Sequence, residues 1–494
     1  MSPVSLRARL ASGAKWTISI RAVDRMIGLA TTLILARLLA PADFGVIAMG
    51  TAINGILGSL TELGFTPALI RLRRPDRDAY STAFTLHFIA CAVVALALVA
   101  SAPLARAWYG DPRVVIVLLT LATISLVSGF RNFGLARYER ALDFRPFFVI
   151  TLSRKAASFL TGVGAALVWH DYRALLAGML VGTVVDIALT HRLTRLRPRF
   201  TLSRSREVLS FSVWWLASQM AAVLGRRGQD LIIGQQLGAP ILGKYAVALD
   251  IATMPTGELV APVMRAVYPG YMQMKDEIGR LQAAFLNVWG VIALAAIPAA
   301  VGTACVSDLV TNVILGPKWR DAAHLMGALA VVGAIDALYG CYWPMMLTRL
   351  GPKMVFLLSA AGVGLTLPAF GITLWAFGLM PAIGAWITCS VVMLFVGAKL
   401  LLRELGGRLS ALLGHLIRPL IGSAAMALVV LAIKGVLPVG AAWVGDLAFL
   451  LLLALAGALS YVLSVWVLWQ LAGRPATAEL QVLSVARVSL RRKV

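Results

Sequence analysis

The chain has 494 residues, of which 60% are hydrophobic and 14% are charged, and its mean hydropathy is +0.85. This composition excludes an ordinary soluble domain and predicts an all-α polytopic membrane protein. A net charge of +23 would suggest a nucleic-acid partner in a soluble chain. Here the basic residues follow the connections between apolar segments, so no nucleic-acid partner is predicted.

Apolar segments long enough to cross a bilayer recur along the whole chain. We predict about fourteen transmembrane helices, each near the 20 residues that a bilayer requires, at 16–39, 44–70, 80–103, 114–135, 146–169, 174–193, 209–237, 242–266, 284–305, 322–347, 354–377, 381–402, 415–436 and 443–470. Lys and Arg concentrate on alternate connections, including 192–206 and the tail 491–493. The positive-inside rule then places both termini in the cytoplasm.

The first predicted helix carries charge within its apolar stretch, at Arg21, Asp24 and Arg25. At about 100° per residue the three lie on one face, and Arg21 is spaced to pair with Asp24. Charge at this depth costs about 2.5–3.5 kcal/mol per residue on insertion scales, which favours a water-filled cavity over lipid. The residues leave two interpretations open: substrate-binding groups, or a private structural ion pair.

Four short motifs carry a resemblance to a known family. The pattern A-R-L-L-x-P-x-x-F-G spans 36–45, E-L-G-F follows at 62–65, W-Y-G-D-P lies at 108–112 and G-P-K-W at 316–319. Together they resemble the Wzx-type oligosaccharide flippases of the multidrug/oligosaccharidyl-lipid/polysaccharide exporter superfamily. The resemblance implies a transporter whose cargo is an oligosaccharide linked to undecaprenyl diphosphate.

The second half of the chain repeats the first at a fixed offset of 198 residues. Trp16 then aligns with Trp214 and Gly45 with Gly243, and each pair brackets a charged helix, a tight turn and a second helix. Because both copies begin on the same side, they are parallel repeats related by an axis along the membrane normal. We predict two six-helix lobes, 1–207 and 208–408, followed by two extra helices and a basic tail in 409–494.

The seventh and eighth predicted spans repeat the charge of the first. Arg226 and Asp230 are spaced to pair on one helix face, Arg227 lies beside them, and Arg265 follows in the next span. We predict a cationic substrate site built from Arg21, Asp24, Arg25, Arg226, Arg227, Asp230 and Arg265. Four further acids are candidates for coupling or gating: Glu62, Asp250, Glu258 and Asp336. Arg154 and Lys155, which begin the fifth span, are expected to snorkel to the surface.

The sequence offers no constellation for covalent chemistry. We find no Walker motif, no nucleophile with an adjacent base, and no metal-ligand spacing among the cysteines and histidines. We therefore expect no enzyme, no catalytic residue, no metal and no cofactor. Transport would be driven by a proton gradient, a sodium gradient or the membrane potential.

Arginine suits a diphosphate because its planar guanidinium stays charged and donates two parallel hydrogen bonds. The resulting hypothesis is a flippase that carries a polyprenyl-diphosphate-linked oligosaccharide from the cytoplasmic to the periplasmic leaflet for exopolysaccharide, O-antigen or capsule synthesis. Its partners would be the lipid-linked glycan, membrane lipids, and the polysaccharide polymerase and export machinery. Three alternatives stay open: a cation-coupled multidrug exporter of the same superfamily, a lipid II flippase, and a non-transporting scaffold.

Overall fold

The computed structural model describes residues 3–61, 64–72, 75–194, 196–208, 213–436 and 443–473. Within these ranges the chain is helical and contains no strand, which confirms the all-α prediction. The helices are α1 (Pro3–Leu38), α2 (Pro41–Gly58), α3 (Phe65–Arg71), α4 (Arg77–Tyr109), α5 (Arg113–Ser128), α6 (Ala136–Arg140), α7 (Arg145–Trp169), α8 (Arg173–Leu193), α9 (Ser205–Val208), α10 (Val213–Gln273), α11 (Ile278–Cys305), α12 (Ser307–Val310), α13 (Ala322–Gly340), α14 (Tyr342–Arg349), α15 (Gly351–Phe377), α16 (Leu379–Leu405), α17 (Leu409–Val436) and α18 (Trp443–Leu471).

Ten helices in the described ranges are long and apolar enough to cross a membrane, or eleven if the bent pair Arg113–Ser128 and Phe133–Arg140 forms one crossing. α10 counts once, although it covers two predicted spans. α1 and α7 are also long enough to cross, but each carries ionised residues within its apolar stretch. The chain is thus a multi-pass membrane protein, and the count of about fourteen stays a prediction.

The second predicted span is shorter than expected. Pro41 begins α2, and Asp43 accepts a hydrogen bond from the Ala40 N–H at 2.9 Å, which satisfies a donor at the helix start. The prediction of one helix over 44–70 was wrong. The helix ends at Gly58, a short 3-10 turn follows, and α3 begins after Gly64, whose φ of 68° no ordinary helical residue adopts.

The long segment α10 is two helices joined at Gly238. This residue has φ 76° and ψ 179°, so the helical hydrogen bonds are interrupted there, as the predicted end of the seventh span at 237 requires. The contacts of the chain divide it into two compact units, Met1–Gly243 and Lys244–Val494. The predicted boundaries at 207 and 408 concern the sequence repeats and stay predictions.

In the first unit, α1 packs against α7, α7 against α8, and α5 against α2, α4 and α8. The tightest contact joins the start of α2 to the residues after the Gly238 break. A Cβ on Gly45 would overlap the carbonyl oxygen of Ala239, and a Cβ on Gly243 would overlap that of Pro41. Both positions therefore require glycine for close backbone approach.

The second unit has a continuous core around α11, α13, α14 and α16. Trp289 and Tyr342 are fully buried and stack with ring centroids 5.2 Å apart, and Phe285 packs beside them. The last two helices, α17 and α18, pack against each other and against α11. The core of this unit is thus dominated by aromatic and aliphatic side chains, as expected for helices that bury their faces against one another.

Candidate substrate-binding site

Helices α1 and α7 lie side by side and run in the same direction. Near their starts, the rings of Trp16 and Phe148 meet edge to face at 5.1 Å. Farther along both helices, Leu35 packs in a buried cluster with Ala166. The charged stretch of α1 lies between these two contacts. The packing on either side therefore determines which residues of α7 it faces.

Asp24 forms its ion pairs with α7. Its Oδ1 atom accepts a hydrogen bond from Arg154 Nη2 at 3.4 Å and lies 3.1 Å from Lys155 Nζ. The predicted pairing of Asp24 with Arg21 on the same helix was wrong, because the carboxylate reaches across to the neighbouring helix. Arg154 and Lys155 are thus the partners of Asp24, and their snorkelling to the membrane surface stays a prediction.

The remaining predicted cations of α1 flank this ion pair. Arg21 lies one turn before Asp24 and Arg25 directly after it, and both side chains are partly buried. The Nε atom of Arg25 is fully buried. Lys155 also lies close to Gly28, where a Cβ would be 3.9 Å from its Nζ atom. We call Arg21, Asp24, Arg25, Arg154 and Lys155 the α1–α7 cluster.

A second charged group lies on α10 before its break. Arg227 Nη1 donates a hydrogen bond to Asp230 Oδ2 at 3.3 Å, and the Asp230 side chain is only 3% exposed. The predicted partner of Asp230 was Arg226, one residue too early on the helix; the Arg226 side chain is exposed. The stem of Arg227 passes over α2, where a Cβ on Gly55 would lie 3.4 Å from its Cγ atom.

Uncharged polar groups lie beside the Arg227–Asp230 pair, and no sequence motif predicted them. Gln229 is fully buried, and the Tyr109 side chain from α4 packs against Gly234 within electrostatic range of Asp230. Both amide atoms of Gln229, the Tyr109 hydroxyl and Asp230 Oδ1 have no hydrogen-bond partner within the ranges described above.

The other predicted site residues are placed separately. Asp250 and Glu258 on α10 and Asp336 on α13 have exposed side chains and belong to the second unit. Arg265 lies in α10, but its side chain is outside the described part of the chain, and Glu62 is outside it entirely. Across the described part, no three His, Cys, Asp or Glu residues are grouped as a metal site would require.

Comparison with known proteins identifies the family. A family model described as "Polysaccharide biosynthesis protein" matches residues 34–324, more than half of the chain. The chain belongs to this family. The resemblance that the sequence motifs suggested is thereby confirmed.

Curated relatives are also named for the biosynthesis or transport of polysaccharides. The lipopolysaccharide biosynthesis protein WzxC of Escherichia coli is 24% identical over 67% of this chain and 68% of its own length. The teichuronic acid biosynthesis protein TuaB of Bacillus subtilis is 24% identical over 87% of this chain and 90% of its own. The succinoglycan biosynthesis transport protein ExoT of Rhizobium meliloti is 22% identical over 67% of each chain.

Solved structures share the fold. The lipid II flippase MurJ in an inward closed conformation superposes with a TM-score of 0.70 at 13% identity, covering 92% of this chain and 99% of its own. An inward-facing multidrug resistance MATE family transporter of the MOP superfamily gives 0.62 at 12% identity, covering 79% and 98%. The family member described here therefore has the all-α fold of these transporters.

Two of the motifs that carried the resemblance are turns with a clear physical requirement. In the first, Gly110 has φ 68° and ends α4, and the following Asp111 accepts hydrogen bonds from the backbone and side chain of Arg113 at 2.7–3.1 Å. In the second, Gly316 has φ 90° and Trp319 is fully buried. Both motifs fix the chain between helices, and the first also brings Tyr109 close to the Arg227–Asp230 pair.

Proposed function

We propose that this chain is a flippase, and not an enzyme, that moves a polyprenyl-diphosphate-linked oligosaccharide from the cytoplasmic to the periplasmic leaflet of a bacterial inner membrane. The observation that carries the proposal is the α1–α7 cluster, in which four cations and one carboxylate lie within membrane-length helices. Membership of the polysaccharide biosynthesis family supplies the substrate class, and the transporter fold supplies alternating access as the mechanism.

The chemistry of the cluster matches such a cargo. A diphosphate is a multiply charged anion that arginine binds through paired hydrogen bonds, while the glycan needs a water-accessible space. Partly exposed ionised groups deep in a membrane helix face water and not lipid, because lipid exposure costs several kcal/mol. A cationic multidrug substrate would favour acids over arginines, so this arrangement fits the anionic cargo better.

The test is polymer export in a bacterium that lacks its own oligosaccharide flippase. The intact chain is expected to restore export, and Arg25→Ala and Arg226→Ala are expected to reduce it at least tenfold at matched membrane abundance. Arg106→Ala is the matched control, because Arg106 is an exposed arginine in the last turn of α4 and is not a member of the α1–α7 cluster. Variants as active as the intact chain would return both arginines to structural roles.

Lipid II is the second candidate cargo, and the fold shared with MurJ is the observation that favours testing it. Expression in cells depleted of their lipid II flippase separates the two cargoes. Growth restored in those cells, without restored polymer export in the first strain, would assign lipid II in place of a polysaccharide repeat unit.

We further propose that both termini are cytoplasmic, that polymerase and export proteins act on the product, and that coupling uses a proton gradient, a sodium gradient or the membrane potential. Asp250, Glu258 and Asp336 support the last point, since exposed carboxylates on membrane helices face water. Collapsing each gradient separately during export identifies the driving force. Asn or Gln variants of these acids should then lose the response to that gradient.

A further inference from the structure

The 196–206 segment, which follows α8, is held against the start of α4 by its backbone. Three N–H groups of the segment donate to three buried hydroxyl groups of α4: Arg199 to Ser81 at 3.3 Å, Thr201 to Thr85 at 3.0 Å and Arg204 to Thr82 at 3.3 Å. These hydroxyl groups take the place of water as partners of the backbone. Because those N–H groups do not need solvent, the segment can lie where water is scarce.

The segment reaches the apolar part of α4. This helix is long and apolar enough to cross a membrane, and it has no Asp, Glu, Lys or Arg between Asp78 and Arg106. Thr85 lies about 10 Å beyond Asp78, at a rise of about 1.5 Å per residue. Thr201, which is bonded to Thr85, therefore lies at the level where the apolar stretch of a membrane-crossing helix begins.

Large apolar side chains stand beside Thr201. The ring of Phe200 lies against the rings of Phe84 and Phe88, with centroids 5.3 and 5.4 Å apart. Phe200 is nevertheless 64% exposed, and Leu202 is 49% exposed. Exposed apolar side chains at the start of a membrane-crossing helix, with basic residues next to them, are typical of segments that lie in the membrane interface.

The basic residues next to them are arginines. Among the described residues from 192 to 207, the ion pairs involve Arg204 alone, with Asp76 at 3.0 Å and Glu207 at 2.6 Å. The other described arginines here have exposed side chains, and we call them the exposed arginines: Arg192, Arg197, Arg199 and Arg206. Guanidinium groups bind phosphate through paired hydrogen bonds, and each basic residue near an anionic membrane surface strengthens binding about fivefold.

We propose that the 196–206 segment binds the anionic phospholipids of the bilayer. Phe200 and Leu202 lie among the acyl chains, and the exposed arginines bind the phosphate groups around them. An acidic protein would suit the arginines equally, but it would not explain an exposed aromatic ring at the level of the apolar part of α4. The surface includes no residue of the predicted substrate site, so the inference goes beyond glycan transport and holds for any cargo.

The test places a photo-crosslinking residue beside Thr201. The full chain carrying Phe200→p-benzoylphenylalanine is reconstituted in nanodiscs of equimolar phosphatidylcholine and phosphatidylglycerol, irradiated and analysed by mass spectrometry. We expect crosslinks to phospholipid, with phosphatidylglycerol favoured about fivefold or more. Crosslinks only to neighbouring residues of the chain would overturn the inference.

A second variant tests the arginines. Arg197→Gln/Arg199→Gln/Arg206→Gln, added to the crosslinking chain, keeps long polar side chains and removes three positive charges. The preference for phosphatidylglycerol should then fall about fivefold or more, to near parity. Arg106→Gln is the matched control in the last turn of α4, and it should leave the preference unchanged. A preference that persists in the triple variant would overturn the role of the arginines in binding head groups.

Phe377→p-benzoylphenylalanine is the control for the crosslinker itself. Phe377 ends α15, is 74% exposed, and lies in a stretch without charged residues between Lys353 and Lys399. It should crosslink both phospholipids equally. A preference for phosphatidylglycerol as strong as that at position 200 would overturn the inference, because the preference would then not depend on nearby arginines.

The same crosslinking chain, irradiated in cells, separates a lipid partner from a protein partner. Phospholipid is again the expected product. A crosslink from position 200 to another polypeptide, in place of phospholipid, would assign the segment to a protein partner and overturn the inference. None of these measurements requires a transported cargo, so their outcome is independent of the proposed flippase function.

Discussion

Gly45 and Gly243 make reciprocal contacts. Gly45 approaches the carbonyl of Ala239, and Gly243 approaches the carbonyl of Pro41. At the repeat offset of 198 residues, Gly45 corresponds to Gly243 and Pro41 to Ala239, so the two contacts are exchanged by the repeat. Each glycine therefore has the same steric reason to be there.

Replacement of either glycine should disturb the first unit. Gly45→Ala and Gly243→Ala place a methyl group on a backbone carbonyl, which cannot move away as a flexible side chain can. We expect each to destabilise the protein by about 1–3 kcal/mol, the usual cost of overpacking, and Val substitutions by more. The readout is the thermal unfolding midpoint of the purified chain in nanodiscs.

Gly58→Ala is the matched control for these substitutions. It lies at the end of the same helix, with open space where the methyl group would point. Alanine is the better helix former there, so the midpoint should stay unchanged or rise. Unfolding midpoints that fall equally for Gly45→Ala and Gly58→Ala would remove the close contact as the explanation.

The Arg227–Asp230 pair predicts that two neighbouring arginines differ in their contribution to stability. Arg227→Ala leaves the nearly buried Asp230 carboxylate without its cation, at an expected cost of about 2–4 kcal/mol, below the range for a fully buried pair because Arg227 is half exposed. Arg226→Ala removes only an exposed side chain, so we expect a stability change within about 0.5 kcal/mol. Thermal unfolding checks both values.

The double variant Arg227→Ala/Asp230→Asn tests the cause. Removal of both charges together should recover most of the stability that Arg227→Ala loses, because no buried charge is then left without a partner. If the double variant is as unstable as the single variant, Arg227 stabilises the helix through its packing over Gly55 and not through the ion pair.

The charged face of α1 and the break between the seventh and eighth spans were readable from the sequence. The first depends on the 100° helical period, and the second was predicted as a span boundary at 237, one residue before the break at Gly238. The partner of Asp24 was not readable in this way, because it depends on which helix packs beside α1. One signal was present: Arg154 and Lys155 lie as deep in their predicted span as Arg25 lies in its own.

The pairing on α10 shows the same limit on a smaller scale. Spacings of three and four residues both bring side chains together on a helix, so Asp230 had two candidate partners. The structure selects Arg227 because its stem packs across α2 at Gly55, a tertiary contact. In the second span, the break at Gly64 interrupts what was predicted as one helix over 44–70.

Asn132 should hold the segment after α8 in place. It is fully buried, donates to the Leu196 carbonyl at 2.8 Å and accepts from the Gly134 N–H at 2.9 Å. Asn132→Ala removes both bonds, so we expect a loss of about 2–3 kcal/mol and faster trypsin cleavage in the arginine-rich segment 196–206. Inside-out membrane vesicles present this segment to the protease if the predicted orientation is right.

Glu207→Gln is the control for Asn132→Ala. Glu207 forms an exposed ion pair with Arg204 at 2.6 Å, a kind of contact that contributes about 0–1 kcal/mol. The substitution keeps every arginine that trypsin recognises. Cleavage as fast in Glu207→Gln as in Asn132→Ala would mean that surface charge, and not the buried amide, fixes the segment.

Asp111 should make the stability of the first unit depend on pH. Burial alone would raise the pKa of this carboxyl group, but hydrogen bonds from the side chain and backbone of Arg113 outweigh burial and hold the pKa below its usual value of 3.8. A carboxyl group with a depressed folded-state pKa stabilises the protein above its unfolded pKa, and that stabilisation is lost as the pH falls through the folded pKa. Asp111→Asn should therefore cost about 1–2 kcal/mol at pH 7, and the difference in stability from the intact chain should shrink below about pH 4.

Unfolding midpoints of the intact chain and Asp111→Asn, measured from pH 7 to pH 3, test this pH dependence. Asp276→Asn, which changes an exposed loop residue, is the control. A difference that stays constant down to pH 3 would show that Asp111 acts through the shape of the turn and not through its charge.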